Sequence, residues 1–276
     1  MSKVQCDICP QGCVLEEGQT GFCRARTARG GQVRSDNYGL LTSIALDPIE
    51  KKPLRRFQPG SAVLSVGSFG CNLRCDFCQN HEISMCDASR ARTTYIPPEE
   101  LVAKAAALES SCNIGIAYTY NEPLIGYEFV RDCAALARAK GLKNVIVTNG
   151  YINEAPLCAL LPDIDAMNID LKAFSEAFYL RLHGHLEPVK RTIELAASQC
   201  HVEVTTLIIP GQNDSPEQMR RLSAWLAGLN PQIPLHISRF FPRYHMADAC
   251  ATPAETIYQL ADIAKENLDF VYAGNC

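Results

Sequence analysis

The 276-residue sequence lacks long apolar runs, an excess of basic residues and repeated segments. No run approaches the roughly eighteen apolar residues that cross a bilayer, so we expect no membrane partner. The formal net charge is −4 and no lysine–arginine stripe stands out, which argues against nucleic acid as a partner. The first residues lack the apolar core of a secretory signal peptide, so we expect a cytoplasmic protein.

Cysteine, in contrast, is abundant, with 14 residues. Disulfides are rare in the cytosol, so metal or redox chemistry is the better interpretation of this number. Two groups stand out, Cys6/Cys9/Cys13/Cys23 and Cys71/Cys75/Cys78. We interpret the others as small apolar side chains in a reducing cell; they are Cys86, Cys112, Cys133, Cys158, Cys200, Cys250 and Cys276.

The most informative motif is Cys71-x3-Cys75-x2-Cys78, which lies on a glycine-flanked loop directly after the apolar run 62–66. Three thiolates can hold three irons of a [4Fe–4S] cube, whereas structural clusters take four cysteines. The missing ligand suggests that a small molecule binds the fourth iron, much as a catalytic zinc keeps an open position. The alternative is a zinc knuckle completed by His81 or Cys86, although such knuckles usually contain two CxxC pairs.

This motif, with the aromatic Phe77 before its last cysteine, resembles the signature of the radical S-adenosylmethionine (SAM) enzymes. Its surroundings, GSFGCNLRCDFCQNHEIS, are similar to the pyruvate formate-lyase activating enzymes. A closer resemblance is to the radical SAM enzyme of the AmmeMemoRadiSam system, and it extends from about Cys6 to Asn275. It is carried by DPIEKKPL, IAYTYNEP, VTNGY, NIDLKAF, VEVTTLIIPGQND and HISRFFP.

From residue 61 onward, short β-branched runs alternate with helical stretches, a pattern that predicts a parallel sheet in an α/β fold. Predicted strands cover 62–68, 113–118, 144–148, 166–170, 201–209 and 234–238, with one more near 269–273. Predicted helices begin near Pro98, Pro123, Glu154, Glu187, Ser215 and Pro253. The alternation alone also fits a doubly wound sheet, whereas the resemblance implies an open, partial (β/α)6 TIM-like barrel. We therefore expect a Cys-rich metal-binding module over 1–59 and a radical SAM barrel over 60–276.

The resemblance also implies the chemistry. A [4Fe–4S] cluster on Cys71, Cys75 and Cys78 would reduce SAM and release a 5′-deoxyadenosyl radical, which abstracts hydrogen from a substrate. The open iron would bind the amino and carboxylate groups of the methionine moiety, and flavodoxin or ferredoxin would supply the electron. In β/α barrels such chemistry lies at the C-terminal ends of the strands, where most of the polar candidates fall.

Several of these candidates correspond to SAM-binding positions of the family. Phe77 would pack beside adenine, and Glu122 belongs to an element that contacts the SAM amino group. Tyr120 and Asn121 replace the two glycines of that element, while Asp170-Leu171-Lys172 matches the DLK that engages ribose and carboxylate. Val147 stands where the activating enzymes place an aspartate that helps to bind a monovalent cation. The remaining cofactor candidates are Asn80, Thr148, Asn149, His236 and Arg239.

The N-terminal quartet, Cys6-x2-Cys9-x3-Cys13-x9-Cys23, supplies four soft ligands. Four ligands make a closed site, which can be structural zinc or a second [4Fe–4S] cluster. A cluster would suit electron relay, whereas zinc would hold together a module too small for a core of its own. The spacing does not choose between them, and free thiols are the remaining possibility.

Three functions are compatible with the sequence. The first is a hydrogen-abstracting enzyme that acts on a protein partner, as the pyruvate formate-lyase activating enzymes do. The second is radical modification of a small molecule together with AmmeMemoRadiSam partner proteins. The third is a non-catalytic iron–sulfur or zinc protein, which gives no reason for Glu122, Asp170 and Lys172 to gather near a three-cysteine loop.

Overall fold

A computed structural model describes residues 3–276, so the first two residues of the predicted N-terminal module lie outside the described part. The fold is built around a mixed sheet of eight strands. Seven of them are parallel, in the chain order β7, β9, β10, β11, β12, β13 and β14. They cover Ala62–Gly67, Asn113–Tyr118, Lys143–Thr148, Ala166–Asp170, His201–Ile208, Leu235–Arg239 and Val271–Gly274.

The eighth strand, β6 (Ser43–Pro48), pairs antiparallel with β7 at one edge of the sheet. It comes from the segment before residue 60, where sequence reasoning expected only short strands of a separate module. Three small antiparallel pairs lie outside the main sheet, and all of their strands except β8 come from the same N-terminal segment. They are β1 with β2 (Val4–Gln5, Val14–Leu15), β3 with β4 (Arg26–Arg29, Gln32–Ser35) and β5 with β8 (Leu40–Leu41, Thr94–Tyr95).

Eight α-helices occur within residues 3–276, most of them in the connections between parallel strands. Their starts follow capping chemistry: Pro98 and Pro216 occupy first positions, and the Ser215 hydroxyl accepts a hydrogen bond from the Gln218 backbone N–H. The helices are α1 His81–Ser84, α2 Pro98–Ala106, α3 Tyr127–Ala139, α4 Glu154–Leu160, α5 Glu176–Arg181, α6 Leu186–Ala197, α7 Pro216–Leu229 and α8 Ala254–Ala264. None of the described helices combines the length and apolar character that crossing a bilayer requires.

Alternation along the strands separates two layers. The large core packs the outward side chains of the strands against the helices, as Ile116, Ile146 and Ile237 illustrate. A smaller cluster of Ile49, Leu54, Val63, Ala117, Val145 and Ala166 packs against the other face of the strands. Because the strand order runs from β14 to β6 without closing, the sheet forms an open barrel, and the predicted α/β fold class is confirmed.

Candidate active site

The loop after β7 carries Cys71, Cys75 and Cys78 at the C-terminal edge of the sheet. Cys75 is buried, and the other two side chains are half-buried. Backbone donors shape the loop: the Leu73 N–H lies 3.4 Å from the Cys71 sulfur, and the Cys78 N–H donates to the Cys75 carbonyl at 3.1 Å. The three thiols therefore belong to one constrained loop, the donor set that a three-cysteine cluster requires.

No three His, Cys, Asp or Glu side chains within residues 3–276 converge as ligands of a single metal ion. In a [4Fe–4S] cube each thiolate holds a different iron, so cluster ligands surround the cluster and do not meet at one point. The alternative zinc ligands have other surroundings. The His81 ring stacks on Tyr244 with centroids 4.4 Å apart, and Cys86 packs into an apolar cluster with Phe69 and Ile125. The arrangement fits a cluster better than a zinc knuckle.

Glu122 lies next to Cys71, and its side chain is buried. Its carboxylate accepts hydrogen bonds from the Thr148 hydroxyl (2.7 Å), the Asn149 N–H (2.7 Å) and the Leu124 N–H (3.0 Å). Burial raises the pKa of Glu122 to about 7, and these donors oppose the shift. The carboxylate thus joins the ends of β9 and β10, and three of its roughly four acceptor positions are filled.

Asn149 connects this carboxylate to the cysteine loop. Its side-chain amide nitrogen lies 3.6 Å from the Cys71 sulfur and 2.9 Å from the Asn72 side-chain oxygen. Burial raises the pKa of the Cys71 thiol, and the Glu122 carboxylate adds to the rise. Glu122, Thr148 and Asn149 are therefore brought together on the Cys71 side of the loop.

Asp170 and Lys172 lie on the Cys75 side. Their carboxylate oxygen and ammonium nitrogen are 2.6 Å apart, and both side chains are half-buried. Burial raises the pKa of the Cys75 thiol to about 12, and the nearby Lys172 ammonium opposes that rise. The buried Tyr179 hydroxyl accepts the Lys172 backbone N–H at 3.0 Å. A ribose diol and a carboxylate are the groups that such an acid–base pair can hold.

Tyr120 adopts φ +71°, the left-handed conformation that favours the glycine it replaces. Its hydroxyl donates to Asp47 at 2.7 Å, and the Lys52 ammonium lies 4.5 Å from its ring centroid. The Tyr120 carbonyl accepts the Asn80 side-chain amide at 2.6 Å. Tyr120 and Asn80, both candidate cofactor-binding residues, thus contact each other beside the cysteine loop.

The Asn121 side chain is engaged with the cysteine loop itself. It accepts the Ser68 N–H at 2.9 Å and donates to the Gly70 carbonyl at 3.1 Å. Phe77 is buried against Phe178, with ring centroids 6.1 Å apart. Both residues lie at the cysteine loop. Asn121 holds the loop through hydrogen bonds to its backbone, and Phe77 packs against a second aromatic ring.

His236 and Arg239 are separated by the structure. His236 is the second residue of β13 and is bonded to the buried Glu203, with 2.6 Å between ring nitrogen and carboxylate. Arg239 alternates to the other face and donates to the Thr252 carbonyl. Neither contacts the cysteine loop through any hydrogen bond of the described residues, whereas the other candidates lie around it.

Sequence reasoning missed three residues that organise this loop. The Asn72 amide donates to the Tyr151 carbonyl at 2.7 Å, and the Arg74 guanidinium donates to the Cys71 carbonyl at 2.8 Å and stacks on Phe22. Tyr179 is the third, through its bond to Lys172. Asn72 and Arg74 lie inside the motif, so their position was the available signal. Their partners Tyr151 and Phe22 come from distant segments, whereas Cys71 and Lys172 lie close in sequence to Arg74 and Tyr179.

An open α/β barrel with a three-cysteine loop at the carboxyl ends of its strands defines a class of iron–sulfur enzymes. Residues 65–223 match the radical SAM superfamily, so the chain belongs to that superfamily. An uncharacterized protein of Methanocaldococcus jannaschii is 42% identical over 99% of the chain and 82% of its own length. The pyruvate formate-lyase 1-activating enzyme of Escherichia coli K12 is 25% identical over 55% of the chain and 63% of that enzyme.

Solved structures show the same fold at low sequence identity. SuiB of Streptococcus suis bound to S-adenosylmethionine has a TM-score of 0.57 at 12% identity, covering 78% of this chain and 52% of SuiB. TYW1 with a lysine-pyruvate adduct has a TM-score of 0.52 at 17% identity, with 74% of each chain covered. Superfamily membership implies a [4Fe–4S] cluster and SAM as cofactors.

Proposed function

We propose that the protein is a radical SAM enzyme that abstracts hydrogen from a protein partner, as an activating enzyme does. The observation that carries the proposal is the placement of two polar groups on either side of one cysteine loop. Glu122 and Asn149 lie by Cys71, and the Asp170–Lys172 pair lies by Cys75. A non-catalytic metal protein would not need these polar groups beside its metal ligands.

The roles follow from chemistry and position. Cys71, Cys75 and Cys78 would hold the cluster, and the cluster and SAM would together supply a 5′-deoxyadenosyl radical. Lys172 would balance the carboxylate of SAM, and Asp170 would accept from its ribose hydroxyls. Tyr120, Asn80 and the remaining acceptor position of Glu122 would receive the amino group. Phe77 would shield the adenine side from water, and flavodoxin or ferredoxin would be the reductant.

The choice of a protein substrate rests on two observations. The chain is similar over half its length to an enzyme whose name identifies pyruvate formate-lyase as its target. The sheet is also not closed between β6 and β14, and an open barrel of this kind is the form that a loop of a partner protein would enter.

A second candidate is a small-molecule substrate handled with AmmeMemoRadiSam partner proteins. Buried polar side chains on the inner faces of β11, β12 and β13 favour it, because an apolar lumen would need none. They are Asn168, Glu203, Thr205 and His236, and they bond one another or neighbouring backbone.

The first experiment incubates anaerobically reconstituted protein with SAM and dithionite. We expect 5′-deoxyadenosine and methionine in equal amounts, and at least a hundredfold less from Cys75→Ala. Cys158→Ala is the matched control, since Cys158 is exposed on α4 and should leave the yield unchanged. Equal yields from Cys75→Ala and wild type would overturn the proposal.

A second experiment separates the two substrate classes. Candidate partner proteins and cell-extract metabolites are deuterated in turn, and deuterium is measured in 5′-deoxyadenosine. Transfer from a protein fraction supports the activating function. Transfer from the metabolite fraction alone replaces it with the small-molecule function.

A further inference from the structure

The four N-terminal cysteines line the wall of one cavity. Cys6, Cys9 and Cys23 are buried, and Cys13 is half-buried. Apolar side chains complete the wall, among them Ile8, Leu15 and Ile125. The folded chain thus gathers four soft ligands, all from residues 6–23, around one cavity with largely apolar walls.

Arg26 faces the same cavity and carries an unusual donor. The side chain is 4% exposed, and its Nε–H has no hydrogen-bond partner. The two terminal nitrogens are occupied by Glu128 (2.6 and 2.8 Å) and the Ile125 carbonyl (2.9 Å). An unpaired buried donor costs about 1–3 kcal/mol, and the Cys6 sulfur beside this guanidinium is an acceptor available to Nε–H within the cavity.

The geometry of the thiols distinguishes the two metals, since a thiolate of either site could accept this N–H. Within residues 3–276 no three cysteine side chains converge on one point, as the ligands of a tetrahedral zinc ion do, whereas the thiolates of a [4Fe–4S] cube each hold a different iron and surround the cluster. A cube with four thiolates is also an anion that gains a further negative charge on reduction, which a buried guanidinium compensates. Hydrogen bonds to the sulfurs and nearby charge are the factors by which proteins set cluster potentials.

Two residues that line the cavity, Gln11 and Cys23, are hydrogen-bonded to the loop that carries the radical cluster ligands. The Cys71 N–H donates to the Cys23 carbonyl at 3.2 Å, and the Gln11 side chain donates to the Asn72 carbonyl at 3.0 Å. The Asn72 amide lies next to the Cys9 thiol, and its oxygen accepts from Asn149, which reaches the Cys71 sulfur. The two cysteine sets are thus joined through one backbone hydrogen bond and the side chains of Gln11, Asn72 and Asn149.

We propose that Cys6, Cys9, Cys13 and Cys23 bind a second [4Fe–4S] cluster, with Arg26 Nε–H donating to it, and that this cluster delivers electrons to the radical cluster. The relay rests on the proposed function. A low-potential carrier of the flavodoxin or ferredoxin class is oxidised by one electron and reduces the N-terminal cluster. The same electron passes to the radical cluster and returns the N-terminal cluster to its oxidised state, and no atom is transferred.

Metal content tests the site independently of SAM chemistry. Reconstituted wild type should hold about eight irons and eight sulfides per chain. The variant Cys71→Ala/Cys75→Ala/Cys78→Ala should keep about four of each and show a reduced-cluster EPR signal. Variant Cys13→Ala/Cys23→Ala should also keep about four, from the other site. About one zinc in place of the second set of irons, or no metal beyond the radical cluster, would overturn the proposal.

Arg26 has a separate readout, the midpoint potential of the N-terminal cluster in the variant that lacks Cys71, Cys75 and Cys78. Arg26→Lys keeps the charge but removes the Nε–H, so the potential should become more negative. Glu128→Gln, the matched control, keeps that donor and removes a negative charge, so it should move the potential the other way or not at all. If the midpoint potential shifts in the same direction in Arg26→Lys and Glu128→Gln, or does not shift in Arg26→Lys, the proposed hydrogen bond from Arg26 to the cluster is wrong.

The relay is tested by comparing reductants. In Cys13→Ala/Cys23→Ala, 5′-deoxyadenosine formation driven by reduced flavodoxin should fall more than tenfold, whereas formation driven by dithionite should fall less than threefold. Equal losses with both reductants would overturn the relay. Failure of wild type to cleave SAM with dithionite would sink the proposed function, yet the irons of the triple-alanine variant would still report the second site.

Discussion

Among the carboxylates near the cysteine loop, Glu122 is the most deeply buried. Its pKa of about 7, against an ordinary 4.5, means that the folded chain holds this proton more tightly than the unfolded chain. The associated stability is therefore full below about pH 4.5 and is lost as the pH rises to about 7.

We expect the unfolding free energy of wild type, relative to Glu122→Gln, to fall by about 3 kcal/mol across that window. The glutamine has no proton to lose, so it removes the pH dependence while keeping the size of the side chain. Urea unfolding under argon at several pH values measures the difference. A difference that stays constant from pH 4.5 to 7.5 would contradict the assigned environment.

Gly70 marks the place where the two cysteine-bearing segments meet. It has φ +88°, and a Cβ built there would stand 2.5 Å from the Cys23 carbonyl oxygen. Gly70→Ala should therefore destabilise the protein by about 2 kcal/mol or more and lower the iron content of both sites.

The control is Gly228→Ala, because Gly228 lies in α7 with nothing within 4 Å of an added Cβ. That change should stabilise the protein by about 0.5–1 kcal/mol and leave the iron unchanged. Thermal unfolding and iron analysis report both variants. Full iron content in Gly70→Ala would show that the two segments do not depend on their close approach.

At the scale of elements, the six central strands follow from the sequence almost residue for residue. Asn113–Tyr118 and Ala166–Asp170 match their predicted ranges, since a buried parallel strand reads as a short β-branched or apolar run between turns. The antiparallel strand β6 was not predicted, because its residues alternate weakly and its partner is fixed only by tertiary packing. Helix α5 was missed because it is short and joined closely to α6.

One buried carboxylate links two of these strands to the loop that carries Arg55 and Arg56. Glu203 on β12 accepts from the Arg55 and Arg56 N–H groups, from His201 and from His236 on β13. Burial alone would raise the pKa of Glu203, but these donors lower it to about 2. Its stabilising effect is therefore present above about pH 4.5 and is lost as the pH falls towards 2, opposite in sign to Glu122.

Glu203→Gln should cost about 3 kcal/mol near pH 6, and the gap to wild type should narrow as the pH falls and close at about pH 2. Glu217→Gln on the exposed face of α7 should stay within about 0.5 kcal/mol of wild type at every pH. Circular dichroism during urea unfolding follows both. A penalty that persists at pH 2 would mean that packing, and not the hydrogen-bonded charge, explains it.

At the scale of the whole molecule, the sequence predicted the cysteine loop and its neighbours but not how the N-terminal region sits against them. Glu122, Asp170 and Lys172 follow strands, so their meeting at one edge of the sheet could be anticipated from topology. The contacts of Arg26 with Glu128, and of Cys23 with Cys71, join positions far apart in the chain. No local pattern encodes such pairs, which is why the spacing of the quartet left its metal undecided.

The proposed radical chemistry requires an iron that no side chain of the protein ligates. The direct measurement is electron–nuclear double resonance on reduced Cys13→Ala/Cys23→Ala protein, in which only the radical cluster remains, with SAM labelled by ¹⁵N at the amino group and ¹⁷O at the carboxylate. The account predicts hyperfine coupling of both labels to the cluster. An unchanged spectrum at saturating SAM, with neither label coupled, would contradict it.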